Sequence, residues 1–220
     1  DHVIKNDAIT SFLKEGFPTT KDEEWKYTSL KKIVSDDYVL EEGASDISAD
    51  EIKKHSLNIG EQIIFVNGVL HAKPDIKGLK IESNILKNLS YEDPISALNS
   101  GLAKNGYSIS IDGGVALEKP LEILFLNKYE TNSFLQYRNN IVVGENASVK
   151  IVENIKNLSN NTVFVNSVTD IDTKKDSFLE INKLQDYSNN ERTIDTTNIN
   201  QEKTSTTTIN TLLFGGAFTR

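Results

Sequence analysis

The chain has 220 residues, 32 acidic and 24 basic side chains, a net charge of −8, and neither cysteine nor methionine. The excess of acid argues against nucleic-acid binding, which depends on clustered Lys and Arg. The absence of cysteine removes any disulfide framework or thiolate metal site from these residues. At 37% hydrophobic and 25% charged residues, the composition suits one large globular domain or a small one beside a larger.

Residues 1 to about 57 read as helical. Ile4, Ala8, Phe12 and Leu13 share one helical face, and Gly16-Phe17-Pro18 stops that helix. Thr20-Lys21-Asp22-Glu23 forms a capping-box pattern for a second helix carrying Trp25, Tyr27, Leu30, Ile33 and Val34. Glu41 to Asp50 is acidic and small, the composition of a linker, and Ser48-Ala49-Asp50-Glu51 caps a short helix to Leu57. The run Ile63 to Leu70, broken by Asn67-Gly68, predicts a tight hairpin. A strand at Leu79 to Ile81 followed by a short helix, then a helix from Asp93-Pro94 to Leu102, complete a small α+β transition. Residues 1–106 therefore read as a helical N-terminal region with this transition, and 107–220 as the second unit.

From about Ile109 onward the chain repeats itself. Ile111, Ile141, Ile171 and Ile199 each open an apolar-polar alternation, advancing by 30, 30 and 28 residues. A second series centred on Ile123, Ile151, Ile181 and Ile209 advances by 28, 30 and 28. Period-2 alternation puts one face in and one out, and stacked identical units bury a continuous core. Polar turns at Gly144-Glu145-Asn146, Lys174-Lys175-Asp176 and Gln201-Glu202-Lys203 separate the paired strands. The predicted fold is mainly β with an α-helical N-terminal part: a right-handed parallel β-helix (β-solenoid) with 28–30 residue repeats. An evenly spaced β-sandwich is the ordinary alternative. The apolar end, Thr211 to Arg220, stops mid-pattern without a polar cap, so the chain reads as the N-terminal portion of a longer protein.

Candidate chemistry is sparse. His2, His55 and His71 lie in three unrelated settings without metal-ligand spacing, and read as bystanders. Gly113-Gly114 and Gly215-Gly216 lack the phosphate-loop patterns and suit close backbone turns. Glu118, Glu122, Glu153, Glu180 and Asp186 alternate with apolar residues. Glu153 and Glu180 could face each other on adjacent rungs, but alternation favours an outward, solvated face for all five. Trp25 and Tyr27 suit packing against the body better than a recognition patch. No apolar run nears the roughly 20 residues of a membrane span, and Asp1 to Lys5 lacks a signal peptide's apolar core. No catalytic, cofactor-binding or metal-ligating residue is predicted.

Four stretches in order nonetheless carry a resemblance. They are Glu23-Glu24-Trp25-Lys26-Tyr27-Thr28, the hairpin Phe65-Val66-Asn67-Gly68, Lys119-Pro120 with the apolar strand that follows, and Gly215-Gly216-Ala217-Phe218-Thr219-Arg220. Together they resemble the SufD family, whose paralogue SufB shares the solenoid; Thr20-Lys21 stands where the family usually has arginine. The resemblance implies a non-enzymatic, cytoplasmic scaffold of iron–sulfur cluster assembly. It implies pairing with SufB as a β-helix heterodimer and with the ATPase SufC, and homodimerisation when alone. The cluster is then assembled at the level of the complex, with no cofactor held by these residues, and no nucleic-acid or membrane partner. The competing reading is a secreted or surface β-helix acting on polysaccharide. Such a protein needs an export signal and grouped Asp and Arg, whereas arginine occurs here only at 138, 192 and 220.

Overall fold

The computed structural model describes residues 2–40, 46–83 and 89–220. Two six-stranded sheets face each other across a long core. The strands are β1 (Glu61–Val66), β2 (Val69–Ala72), β3 (Leu79–Ser83), β4 (Tyr107–Ile111), β5 (Leu121–Asn127) and β6 (Ser133–Val143). The remainder are β7 (Ser148–Asn157), β8 (Val163–Thr173), β9 (Phe178–Gln185), β10 (Glu191–Gln201), β11 (Thr206–Leu213) and β12 (Phe218–Thr219). One sheet runs β11-β9-β7-β5-β1-β2 and the other β12-β10-β8-β6-β4-β3. Because successive strands alternate between sheets while partners within each sheet lie parallel, the chain winds as a β-solenoid. The repeat reading and the β-helix class both hold.

Register corrects one detail of that reading. Ile109, not Ile111, stands beside Ile141, and Leu121, not Ile123, beside Ile151. The first coil is therefore two residues longer than read, with 32 residues from Ile109 to Ile141. Side-chain parity is unchanged by a two-residue shift, which is why the sequence pattern could not separate the two registers. Each sharp turn between the sheets carries one left-handed residue, Asn146, Asp176 or Thr204, with φ near 60°. Their backbone amides and carbonyls link turn to turn, Asn146 N donating to Lys175 O and Asp176 N to Lys203 O. Asn and Asp tolerate this conformation; Thr204, β-branched, is held there while its hydroxyl donates to Asp176 Oδ1.

The first coils are finished by the transition region. The Asn67-Gly68 turn forms with φ of 48° and 78°, matching the twist a two-residue hairpin needs. Through it β1 pairs in parallel with β5 and antiparallel with β2, while β3 pairs antiparallel with β4. The strand predicted at Leu79 is present; the helix predicted after it falls on residues 84–88, outside the described ones, as does the linker at 41–45.

Among the described residues three helices flank the sheets: α1 (His2–Glu15), α2 (Ala49–His55) and α3 (Pro94–Leu102). Ser48 and Glu51 form the predicted capping box of α2, and Asp93 caps α3. In α1 the buried residue is Ala8, while Ile4 and Leu13 are exposed, so the expected apolar face is rotated. Ile9 lies against Gly101 of α3, where a Cβ would come within 2.4 Å of its side chain, so any larger residue there requires Ile9 to shift. The long helix predicted from Thr20 does not form. Asp22 instead accepts from the Thr19 amide, and only a 3-10 turn at Glu23–Trp25 follows. Its apolar residues Trp25, Leu30 and Ile33 pack on Phe164 and Ile194 of the second sheet's outer face, and tertiary burial overrides helical pattern.

Candidate functional site

Odd-numbered residues of β4 to β11 point into the solenoid lumen, and its two sides differ. Beside the sharp turns, Ile109, Ile141, Ile171, Leu121, Ile151 and Ile181 stack as a dry apolar column. Across the lumen, the same parity brings in Asn139, Glu153, Lys183, Gln185, Thr193 and Asp195. Here the strand ladders leave no choice of face. A charged residue at an odd position of these strands must lie inside.

The charges meet across the lumen. Lys183 Nζ donates to Asp195 Oδ2 at 2.7 Å and lies 3.8 Å from Glu153 Oε2. Tyr107 Oη, from the first coil, donates to Glu153 Oε1 at 2.6 Å. A continuous polar chain thus runs Tyr107–Glu153–Lys183–Asp195, through successive coils. Burial alone would lower the Lys183 pKa, but the charges of Glu153 and Asp195 outweigh it and hold it above the ordinary value. Burial, then the neighbouring Glu153 charge, push the Tyr107 phenol well above its usual range, so it serves as a donor. Glu191, buried at the start of β10 with neither carboxyl oxygen hydrogen-bonded among the described residues, is pushed up by burial to about 8. A carboxyl with that pKa is protonated at neutral pH.

This geometry reassigns two acids that alternation placed on a solvated face. Glu153 lies inside opposite Lys183, while Glu180 pairs outside with Lys150, so the two glutamates do not face each other. Glu122 does point outward but is fully buried beneath the loop after α2. It accepts from Ser56 Oγ, the amides of Leu57 and Asn58, Gln62 Nε2 and Asn154 Nδ2. A carboxylate so saturated anchors that loop to β5. Glu118 and Asp186 are exposed as read, Asp186 pairing with Lys156 at 2.7 Å. Spacing could not reveal either burial, since both depend on what covers or faces the strand.

The histidines lie apart. His55 ends α2 with its pKa lowered by burial and then by the Lys54 charge, and His71 is exposed on β2. Among the described residues no three His, Asp or Glu side chains are placed to hold a metal ion. Gly113-Gly114 forms a turn beside Glu145, and at Gly215 a Cβ would come within 2.3 Å of Tyr187 O, the close approach expected there.

A second arrangement was not legible in the sequence. All three arginines tie the outer face of the second sheet to the N-terminal region. Arg138, fully buried, bonds Asp170 at 2.9 Å and Ser100 of α3 at 3.1 Å. Arg192 pairs with Asp36 at 3.3 Å. The Arg220 guanidinium lies 4.0 Å over the Trp25 ring and donates to Thr28 Oγ1 at 3.2 Å and to Glu24 O. Two motifs nearly 200 residues apart, the Trp25-to-Thr28 turn and the glycine-pair rung, are thus one contact. Trp25 packs inward as expected, whereas Tyr27 beside it is 92% exposed.

The molecule is therefore a parallel β-solenoid clasped by its own N-terminal segment. Two family models match it: the SufBD protein N-terminal region over residues 2–79, and the SufBD core domain of SUF-system FeS cluster assembly over residues 125–220. The chain belongs to the SufB/SufD family. It is similar to the iron-sulfur cluster assembly protein SufD of Escherichia coli (strain K12), at 24% identity over 190 residues. That match covers 80% of this chain and 44% of the relative, so the chain spans less than half of the relative's length. No helix among the described residues is long and apolar enough to cross a membrane.

Proposed function

We propose that the protein is a non-catalytic scaffold subunit of cytoplasmic iron–sulfur cluster assembly, of the SufD type, pairing with SufB and with the ATPase SufC. The observation that carries this reading is the ordered match of both SufB/SufD family models, N-terminal and core, to one chain. Two features of the residues agree with it. The 220 residues hold no cysteine, so the cluster is cargo built at the level of the complex rather than a group ligated by thiolates here. In the lumen Tyr107, Glu153, Lys183 and Asp195 are engaged with one another, which suits a structural element better than a reacting one.

Pairing with SufB is proposed for the solenoid, the part of the chain that the SufBD core domain matches. The test is co-purification of the tagged full-length protein expressed with SufB and SufC of its own organism. A stable ternary complex is the expected result. Recovery of the protein alone, under conditions where SufB and SufC associate with each other, overturns the assignment.

A further inference from the structure

The N-terminal region covers the outer face of the second sheet, but the cover is not closed. Between α1, α3 and the segment before residue 40 lies an open cleft of about 410 Å³, walled by Phe12, Phe17, Val34, Tyr38, Phe134 and Phe164. Its walls are fixed. Phe134 and Phe164, one coil apart, stack at 4.4 Å with their planes 6° apart, and Tyr38 lies 6.1 and 6.0 Å from them. Tyr38 is held there because the next residue is laid along β6, Val39 N donating to Asn132 O and Phe134 N to Val39 O, each at 2.9 Å. Apolar side chains stay exposed beside the cleft: Leu13, next to Phe12, at 74%, and Val39 and Leu40, next to Tyr38, at 50% and 54%. Two carboxylates also line it, Asp36 and Asp37. Asp36 is answered by Arg192 at 3.3 Å, whereas exposed Asp37 makes no side-chain hydrogen bond or ion pair among the described residues.

We propose that this cleft docks a peptide segment of a partner protein, which inserts a leucine or aromatic side chain and sets a lysine or arginine against Asp37. Contiguous exposed apolar surface marks a place where another molecule sits, and preformed walls spare the ordering cost of binding. The free carboxylate selects the charge of the occupant, since rim pairs steer and discriminate more than they add affinity. A free small molecule suits the site less well, because it leaves Leu13, Val39 and Leu40 uncovered. So does a second copy of this chain: a two-fold contact here would set one acidic rim against another, between chains of net charge −8.

The test is selection of a random peptide library, displayed on phage, against the immobilised full-length protein, with the winning peptides then synthesised and titrated by fluorescence anisotropy. The expected winners carry a leucine or aromatic residue with a lysine or arginine close by, and their affinity falls as salt is added. Asp37→Lys, at an exposed position, weakens them about tenfold. Val34→Trp, which fills the cleft, abolishes binding. No enriched class, the result if the protein's own chain covers the cleft, overturns the proposal. So do winners whose affinity Asp37→Lys leaves unchanged. A dimer of the full-length protein that Val34→Trp dissociates assigns the cleft to a second copy and overturns it too. Should Val34→Trp fail to fold, Asp37→Lys decides alone.

Discussion

The two sides of the solenoid lumen are built on the same strands with the same alternation, yet they are held together by different physics. Beside the sharp turns, Ile151 and Ile181 stack in register and are stabilised by burial alone. Opposite, Glu153, Lys183 and Asp195 occupy the same inward parity and are tolerated only because each answers another. An apolar column is robust to the loss of one member's identity but not its volume. An ionic column is robust to shape but not to the loss of one charge.

The largest expected effects distinguish these cases directly. Ile181→Ala should lower unfolding free energy in urea by about 2–5 kcal/mol, through lost transfer energy and the cavity left behind. Lys183→Met should cost about 3–5 kcal/mol, although it removes little volume, because it strands two buried carboxylates. Neutralising those as well, with Glu153→Gln and Asp195→Asn added, should recover most of that loss, whereas no such rescue exists for Ile181→Ala. Failure of the triple variant to recover would break the comparison.

A medium effect concerns pH. The folded-state pKa of Glu191 is raised by burial to about 8, above the ordinary glutamate value of 4.5. The folded state therefore binds this proton more tightly than the unfolded state does. Its stabilising contribution is full below the unfolded pKa and is lost as pH rises through the folded one. Urea midpoints should fall between pH 6 and pH 8 by an amount equivalent to about 2–3 kcal/mol. In Glu191→Gln that slope should largely vanish; an identical slope would assign the titration to another group.

The smallest effect is on the clasp. Arg220→Ala removes an exposed guanidinium over Trp25, and should cost only about 0.5–1 kcal/mol. Proteolysis reads it better than stability does: cleavage at Lys21, Lys26 and Lys31 should quicken while the solenoid strands stay protected.

Much of the fold was legible in the residues. Isoleucines recurring at 28–30 positions, Asn67-Gly68 and the Ser48-to-Glu51 box each encode local geometry, and each appears in the structure. The Thr20 capping pattern misled because Trp25, Leu30 and Ile33 gain more by covering Phe164 and Ile194 than by closing helical turns. Glu122 and Glu153 illustrate the remaining gap. Alternation assigns a residue to a side of its strand, but outward Glu122 is buried by the loop at Ser56 to Asn58, 64 to 66 residues upstream, and inward Glu153 by a lysine one coil later.

By itself, then, the sequence determined the repeat, the handful of turns with fixed backbone demands, and the family, because all of these are local or periodic properties. Only the tertiary structure decided the two-residue register of the first coil, which acids are buried, and that the Trp25 turn meets Arg220. Those depend on which surfaces come within reach once the coils are stacked, and burial energy is a property of the neighbours a residue acquires.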